Sequence, residues 1–157
     1  MTQKTCREHG AIGNRVYEKI VMSEGSKAAT FRGGCHCGRV AFEVSAALDE
    51  VSECNCSICA KKGYLHWIVP RAAFRMLTPR DNLATYSFNT RVAQHHFCPV
   101  CGVASFYIPR SDPDKVDVNV RCLDGVDLRT LKIRYFDGRN WEQSLADLRS
   151  GVLRGNA

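Results

Sequence analysis

In the stretch Cys98-Pro99-Val100-Cys101-Gly102, two cysteines frame a two-residue turn and a glycine follows directly behind them. Thiolates at that spacing grip one tetrahedral ion, while the glycine lets the backbone come close and turn N–H groups toward sulfur. This is a zinc knuckle. A knuckle supplies two ligands, so a closed site needs two more from elsewhere. Cys35 and Cys37, set among Gly33, Gly34 and Gly38, are the natural partners. That pairing leaves Cys54, Cys56 and Cys59 together on what reads as one short loop. Three ligands with an open fourth position distinguish catalytic from structural zinc. Two zinc ions per chain are therefore expected, one closed and one open.

Other readings of the same cysteines stay open at this point. Disulfides are disfavoured by the odd count of nine and by the strain of a one-residue bridge. An iron–sulfur cluster uses cysteine spacings of this kind. Two purely structural zinc ions would need an eighth ligand, Cys122 or His66. Cys122 follows an apolar strand and reads more simply as a small core hydrophobe, and Cys6 as a free thiol.

Around these clusters the hydrophobic pattern has a period of two. Val40, Phe42 and Val44 alternate with Ala41 and Glu43, and short β-branched or aromatic runs recur at 64–69, 83–88, 93–97, 103–108, 116–120 and 131–136. Turn residues separate them, among them Ser111-Asp112-Pro113-Asp114 and Asp137-Gly138. One helix is expected near the end, with Asn140 as its cap, Gln143 at the capping-box position, and Trp141, Leu145 and Leu148 on one face. The fold class is mainly β: a complex antiparallel β-sheet zinc fold with a short C-terminal helix. Residues 1–29 read as a polar arm and 30–157 as one domain.

A hydrophobic share of 45% and a charged share of 24% argue for a globular chain over a disordered one. No run approaches the length a membrane helix needs, and the first residues do not form a secretory signal, so a cytoplasmic zinc protein with no membrane partner is expected. The formal charge of +6 invites nucleic acid. Seven thiolates (−7) and two zinc ions (+4) would bring that to about +3, and no block of like charge exceeds Lys61-Lys62, so the argument for nucleic acid is weak. The oligomeric state stays open.

These motifs resemble the glutathione-dependent formaldehyde-activating enzymes and their relative centromere protein V. The resemblance is carried by Gly33-Gly34-Cys35-His36-Cys37-Gly38, Cys54-Asn55-Cys56-Ser57-Ile58-Cys59, His95-His96-Phe97-Cys98-Pro99-Val100-Cys101-Gly102, Phe106-Tyr107-Ile108-Pro109-Arg110-Ser111 and Phe136-Asp137-Gly138. It implies a structural zinc at Cys35, Cys37, Cys98 and Cys101, and a catalytic zinc at Cys54, Cys56 and Cys59. It also implies a carbon–sulfur lyase of the S-hydroxymethylglutathione synthase type, with glutathione and formaldehyde or a related small aldehyde as substrates.

Three thiolates make an electron-rich zinc, better suited to keeping a fourth thiol ionised than to polarising a carbonyl. Glutathione carries two carboxylates, so cations are expected nearby: Lys61, Lys62 and Arg110 are candidates, with His66 and His95 as further substrate contacts. His95 and His96, adjacent on a strand, should face opposite ways. Two other function classes remain, a non-catalytic zinc-binding interaction module and a labile-zinc or thiol sensor. An enzyme needs its open zinc position to face a cavity large enough for a tripeptide.

Overall fold

The computed structural model describes residues 27–151. Cys6 and the expected arm, apart from its last three positions, lie outside the described residues. The chain runs through β1 (Ala29–Gly34), β2 (Ala41–Ala46), β3 (Glu50–Cys54), α1 (Ser57–Lys62), β4 (His66–Pro70) and β5 (Phe74–Met76). It continues with β6 (Ala84–Tyr86), β7 (Gln94–Phe97), β8 (Phe106–Ile108), β9 (Lys115–Asn119), β10 (Lys132–Phe136) and α2 (Trp141–Ser150). Two sheets result, a three-stranded one in the order β1-β2-β5 and a seven-stranded one in the order β10-β3-β4-β9-β8-β7-β6. The fold is mainly β, as expected, and every pair is antiparallel except β10 with β3.

Alternation along the strands builds the core between the sheets. Phe42 and Val44 of β2 are fully buried, and they meet Trp67 and Val69 of β4, Val116 and Val118 of β9 and Phe106 of β8 in one cluster. Aromatic rings tie the sheets together: Phe42 lies 5.8 Å from Phe106, Phe74 4.7 Å from Phe106, and Phe31 5.5 Å from Trp67. Fully burying a phenylalanine such as Phe42 or Phe106 contributes about 1.5–3 kcal/mol, and the partly buried Phe31 and Phe74 contribute less. The alternate residues of the large sheet point away from this core. Register puts Arg134, Ser52, His66, Ile68, Asp117, Tyr107 and His95 on that second face. In β9, Val116, Asp117, Val118 and Asn119 are all buried, because the second face is covered too.

The C-terminal helix is present, but its start differs from the expectation. Asn140 occupies the N-cap position without bonding the helix; its amide donates to Asp137 at 2.7 Å, and Gln143 donates to Asp147. The end follows the glycine rule, with Gly151 left-handed at φ 79° and donating to the carbonyls of Asp147 and Leu148. The sequence reading missed β1, β3, β5 and α1. β1 ends in two glycines and carries Arg32, β3 carries two glutamates, β5 has only three residues, and α1, at six residues, is too short to show a helical period.

Candidate metal centres and active-site cavity

The four-cysteine group sits where two turns of similar build meet. Cys35 and Cys37 lie in the β1–β2 turn, and Cys98 and Cys101 in the β7–β8 turn. In each turn the first cysteine closes the loop through its backbone, Cys35 N–H donating to Val40 and Cys98 N–H to Val103. In each, the second cysteine is followed by a glycine at φ 76°, Gly38 and Gly102, which only glycine adopts without strain. The four sulfurs lie within 4.8 Å of one another, with Cys35–Cys37 and Cys37–Cys98 both at 3.6 Å. Four thiolates bound tetrahedrally to zinc at about 2.3 Å stand about 3.8 Å apart, whereas a disulfide needs about 2.05 Å. The spacing fits a metal, and the eight described cysteines are all free thiols. Backbone N–H groups aim at the sulfurs: Val40 donates to Cys35 at 3.2 Å, and the Val103 N–H foremost holds the Cys101 thiol down to about 6.

The second group is built differently. Cys54 ends β3, Cys56 occupies the N-cap position of α1, and Cys59 sits one turn into that helix, so the expected loop is a strand end plus a helix start. Cys56 and Cys59, three residues apart, fall on one helix side. The three sulfurs again lie within 4.8 Å of one another. Hydrogen bonds donated by Cys54 and then Cys59 push the Cys56 thiol far down, while Cys56 foremost pushes Cys54 up, and Cys54 and then Cys56 push Cys59 up. Three thiolates at this distance do not all ionise without a cation, so the donor set fits a metal. Neither Cys122 nor His66 joins either group.

A turn from the far end of the chain covers these sulfurs. Asn55, between two of the cysteines, donates to Asp137 at 2.8 Å and accepts from the Arg139 N–H at 3.1 Å, while its own N–H donates to Phe136. This fixes Gly138 so close that an added Cβ would collide with Cys54 Sγ and stand 2.9 Å from Cys56 Cβ.

Beside the three-cysteine group opens a cavity of about 480 Å³, lined by Cys54, Cys56 and Cys59. Its floor is the second face of the large sheet, with His66, Asp117, Tyr107 and His95; Phe88, Trp141 and Leu145 form part of the walls. Arg110, Arg134 and Arg139 bring positive charge to it. Arg110 lies 3.4 Å over the Trp141 ring and 3.5 Å from Glu142, which anchors α2 beside the opening. His95 stacks on Tyr107 at 4.8 Å, and burial, aided by Lys62, pushes it down to about 4, so it is neutral at physiological pH. Burial also pushes His66 down, but the Asp117 carboxylate, 2.9 Å from Nδ1, outweighs it and leaves the imidazole above its ordinary value. Burial first, then Asp117, keeps the Tyr107 phenol protonated.

Of the expected contacts, His66, His95 and Arg110 line this cavity. Lys61 and Lys62, on the last turn of α1, are not among its lining residues. His95 and His96 do face opposite ways: His96 turns from the cavity to Phe106 and Thr85. Of the neighbouring aromatic residues, Trp67 lies in the core, and Tyr64 packs against His66 and Tyr107. Sequence reasoning missed Asp117, Tyr107, Arg134 and Arg139. Asp117 did leave a signal, a carboxylate in the middle of the apolar run Val116-Asp117-Val118.

Comparison with known proteins agrees with this architecture. A family model described as "Glutathione-dependent formaldehyde-activating enzyme" matches residues 30–136. A crystal structure of a Rhodobacter sphaeroides protein is similar with a TM-score of 0.59 and 34% sequence identity, covering 66% of this chain and 99% of its own. With more than half its length matched and both cysteine groups assembled, this chain belongs to the glutathione-dependent formaldehyde-activating enzyme family.

Proposed function

We propose that this protein is a zinc-dependent carbon–sulfur lyase of the S-hydroxymethylglutathione synthase type, joining glutathione to formaldehyde or a related small aldehyde. One observation carries the reading. Cys54, Cys56 and Cys59 line the cavity of about 480 Å³, whereas Cys35, Cys37, Cys98 and Cys101 do not. The closed group is the structural zinc site and the open group the catalytic one. A cavity of that size falls within the range of about 300–1,000 Å³ that accommodates small molecules.

Zinc held by the three thiolates would stabilise a bound thiol in its ionised form near neutral pH. The chain's own residues do the rest. Arg110, Arg134 and Arg139 attract the two carboxylates of the tripeptide. Phe88, Trp141 and Leu145 keep the reacting atoms dry, and neutral His95 adds no charge beside the thiolate.

Cobalt in place of zinc makes the sulfur ligation visible. Glutathione should shift the thiolate charge-transfer and d–d bands, and S-methylglutathione, which cannot supply a thiolate, should shift them far less. S-hydroxymethylglutathione should then form faster than in buffer alone, a necessary control because the uncatalysed addition is quick. Spectra unmoved by millimolar glutathione, with no acceleration, would favour a non-catalytic zinc module.

A further inference from the structure

The thiol brings a proton into a largely apolar cavity, and the product needs a proton on oxygen. His66 is built to hold it in between. Its side chain is 5% exposed, and Asp117, 1% exposed, fixes Nδ1 at 2.9 Å. The carboxylate accepts from Nδ1–H, which leaves the lone pair on Nε2. Nε2 is buried and has no hydrogen-bond partner, although His66 lines the same cavity as the three cysteines. Buried polar atoms are rarely left without a partner, and here substrate is the group that would supply one. The ring is also held from its sides, stacked on Tyr64 at 5.2 Å and met edge-on by Tyr107 at 5.9 Å. Such support is what a proton-transfer group needs and a merely filling histidine does not.

We propose that His66, oriented by Asp117, is the general base and then the general acid of this site. The inference rests on the thiol-addition reading above and deepens it. Nε2 takes the S–H proton, the sulfur lone pair forms the C–S bond to the carbonyl carbon, and the C=O π pair moves to oxygen. The proton on Nε2 then passes to that alkoxide, so thiol and aldehyde give the hydroxyalkyl thioether with nothing left over. The groups facing His66 are Asp117 from β9, Tyr107 from β8, Tyr64 ahead of β4 and Cys56 from the turn after β3, while the Glu53 carboxylate, next to Ser52 on β3, acts on it through its charge alone. His95 of β7 stands beyond Tyr107. Asp117 is the nearest charge, and it favours the imidazolium that forms midway.

The test is a proton count. Calorimetry of glutathione binding to the zinc protein, at a pH above the acidic limb of its rate profile so that His66 starts neutral, repeated in buffers of different ionisation enthalpy, gives the protons released to solvent. The wild type should release well under one per glutathione, because His66 keeps it; His66→Gln should release one. For His66→Gln, kcat/KM should fall about 10²–10⁴-fold and the acidic limb of its pH profile should vanish, while glutathione still shifts the cobalt spectrum. Asp117→Asn should lower the rate in the same direction by favouring the wrong tautomer. A wild type that releases one full proton overturns the assignment even if neither variant folds. So does a folded His66→Gln that keeps its rate and acidic limb. Cobalt spectra that do not move in the wild type remove the thiol-addition reading itself, and this inference with it; spectra that move alongside a full proton release remove only the role of His66.

Discussion

A methyl group at Gly138 would have to displace Cys54 Sγ or the turn pinned down by Asn55. Gly138→Ala should therefore loosen the three-cysteine site while leaving the core intact. Elemental analysis should show the loss of close to one zinc per chain with an unchanged far-ultraviolet circular dichroism spectrum; full zinc retention would mean that the turn yields easily. The glycine was visible in the sequence as part of Phe136-Asp137-Gly138, but its reason was not, because the sulfur it approaches lies in a different third of the chain. The same limit hid Asp117. Alternation identified the strand, yet only cross-strand register shows that its one carboxylate meets His66.

At the level of elements, both knuckles bridge the two sheets: one turn belongs to the small sheet and the other to the large one. The three cysteines of the second group instead occupy one strand end and one short helix. Cys98→Ser should accordingly give insoluble or molten protein, since losing a structural metal removes folding energy outright. Cys56→Ser should give a folded protein with less metal and little activity. Solubility and near-ultraviolet circular dichroism decide the matter, and equal damage from both would contradict the division into structural and catalytic ions. Cysteine spacing alone was enough to divide the seven thiols into these two groups, because each knuckle keeps its pair within one tight turn. It could not reveal α1. A six-residue helix has no periodicity to read, so Cys54, Cys56 and Cys59 looked like a loop, and Lys61 and Lys62 seemed closer to the cavity than they are.

For the molecule as a whole, the two cysteine groups should differ in how firmly they hold metal. Metal binding coupled to folding is worth about 10–16 kcal/mol in small zinc domains, and the four-cysteine group, whose two turns come from different sheets, is where that coupling is expected. A chelator titration followed by elemental analysis and melting curves should therefore remove one zinc at nearly constant melting temperature, and the second only with unfolding; simultaneous release would show that the sites are not independent. The parallel pairing of β10 with β3 has a consequence for synthesis. The ribosome delivers Cys35 through Cys101 well before Phe136, Gly138 and Trp141, and chains form structure from the N-terminal side as they emerge. All seven of these thiols emerge early, Cys54, Cys56 and Cys59 ahead of Cys98 and Cys101, but those three remain uncovered until the last strand slides in beside them. The turn that carries Gly138 therefore closes over three sulfurs that were made long before it.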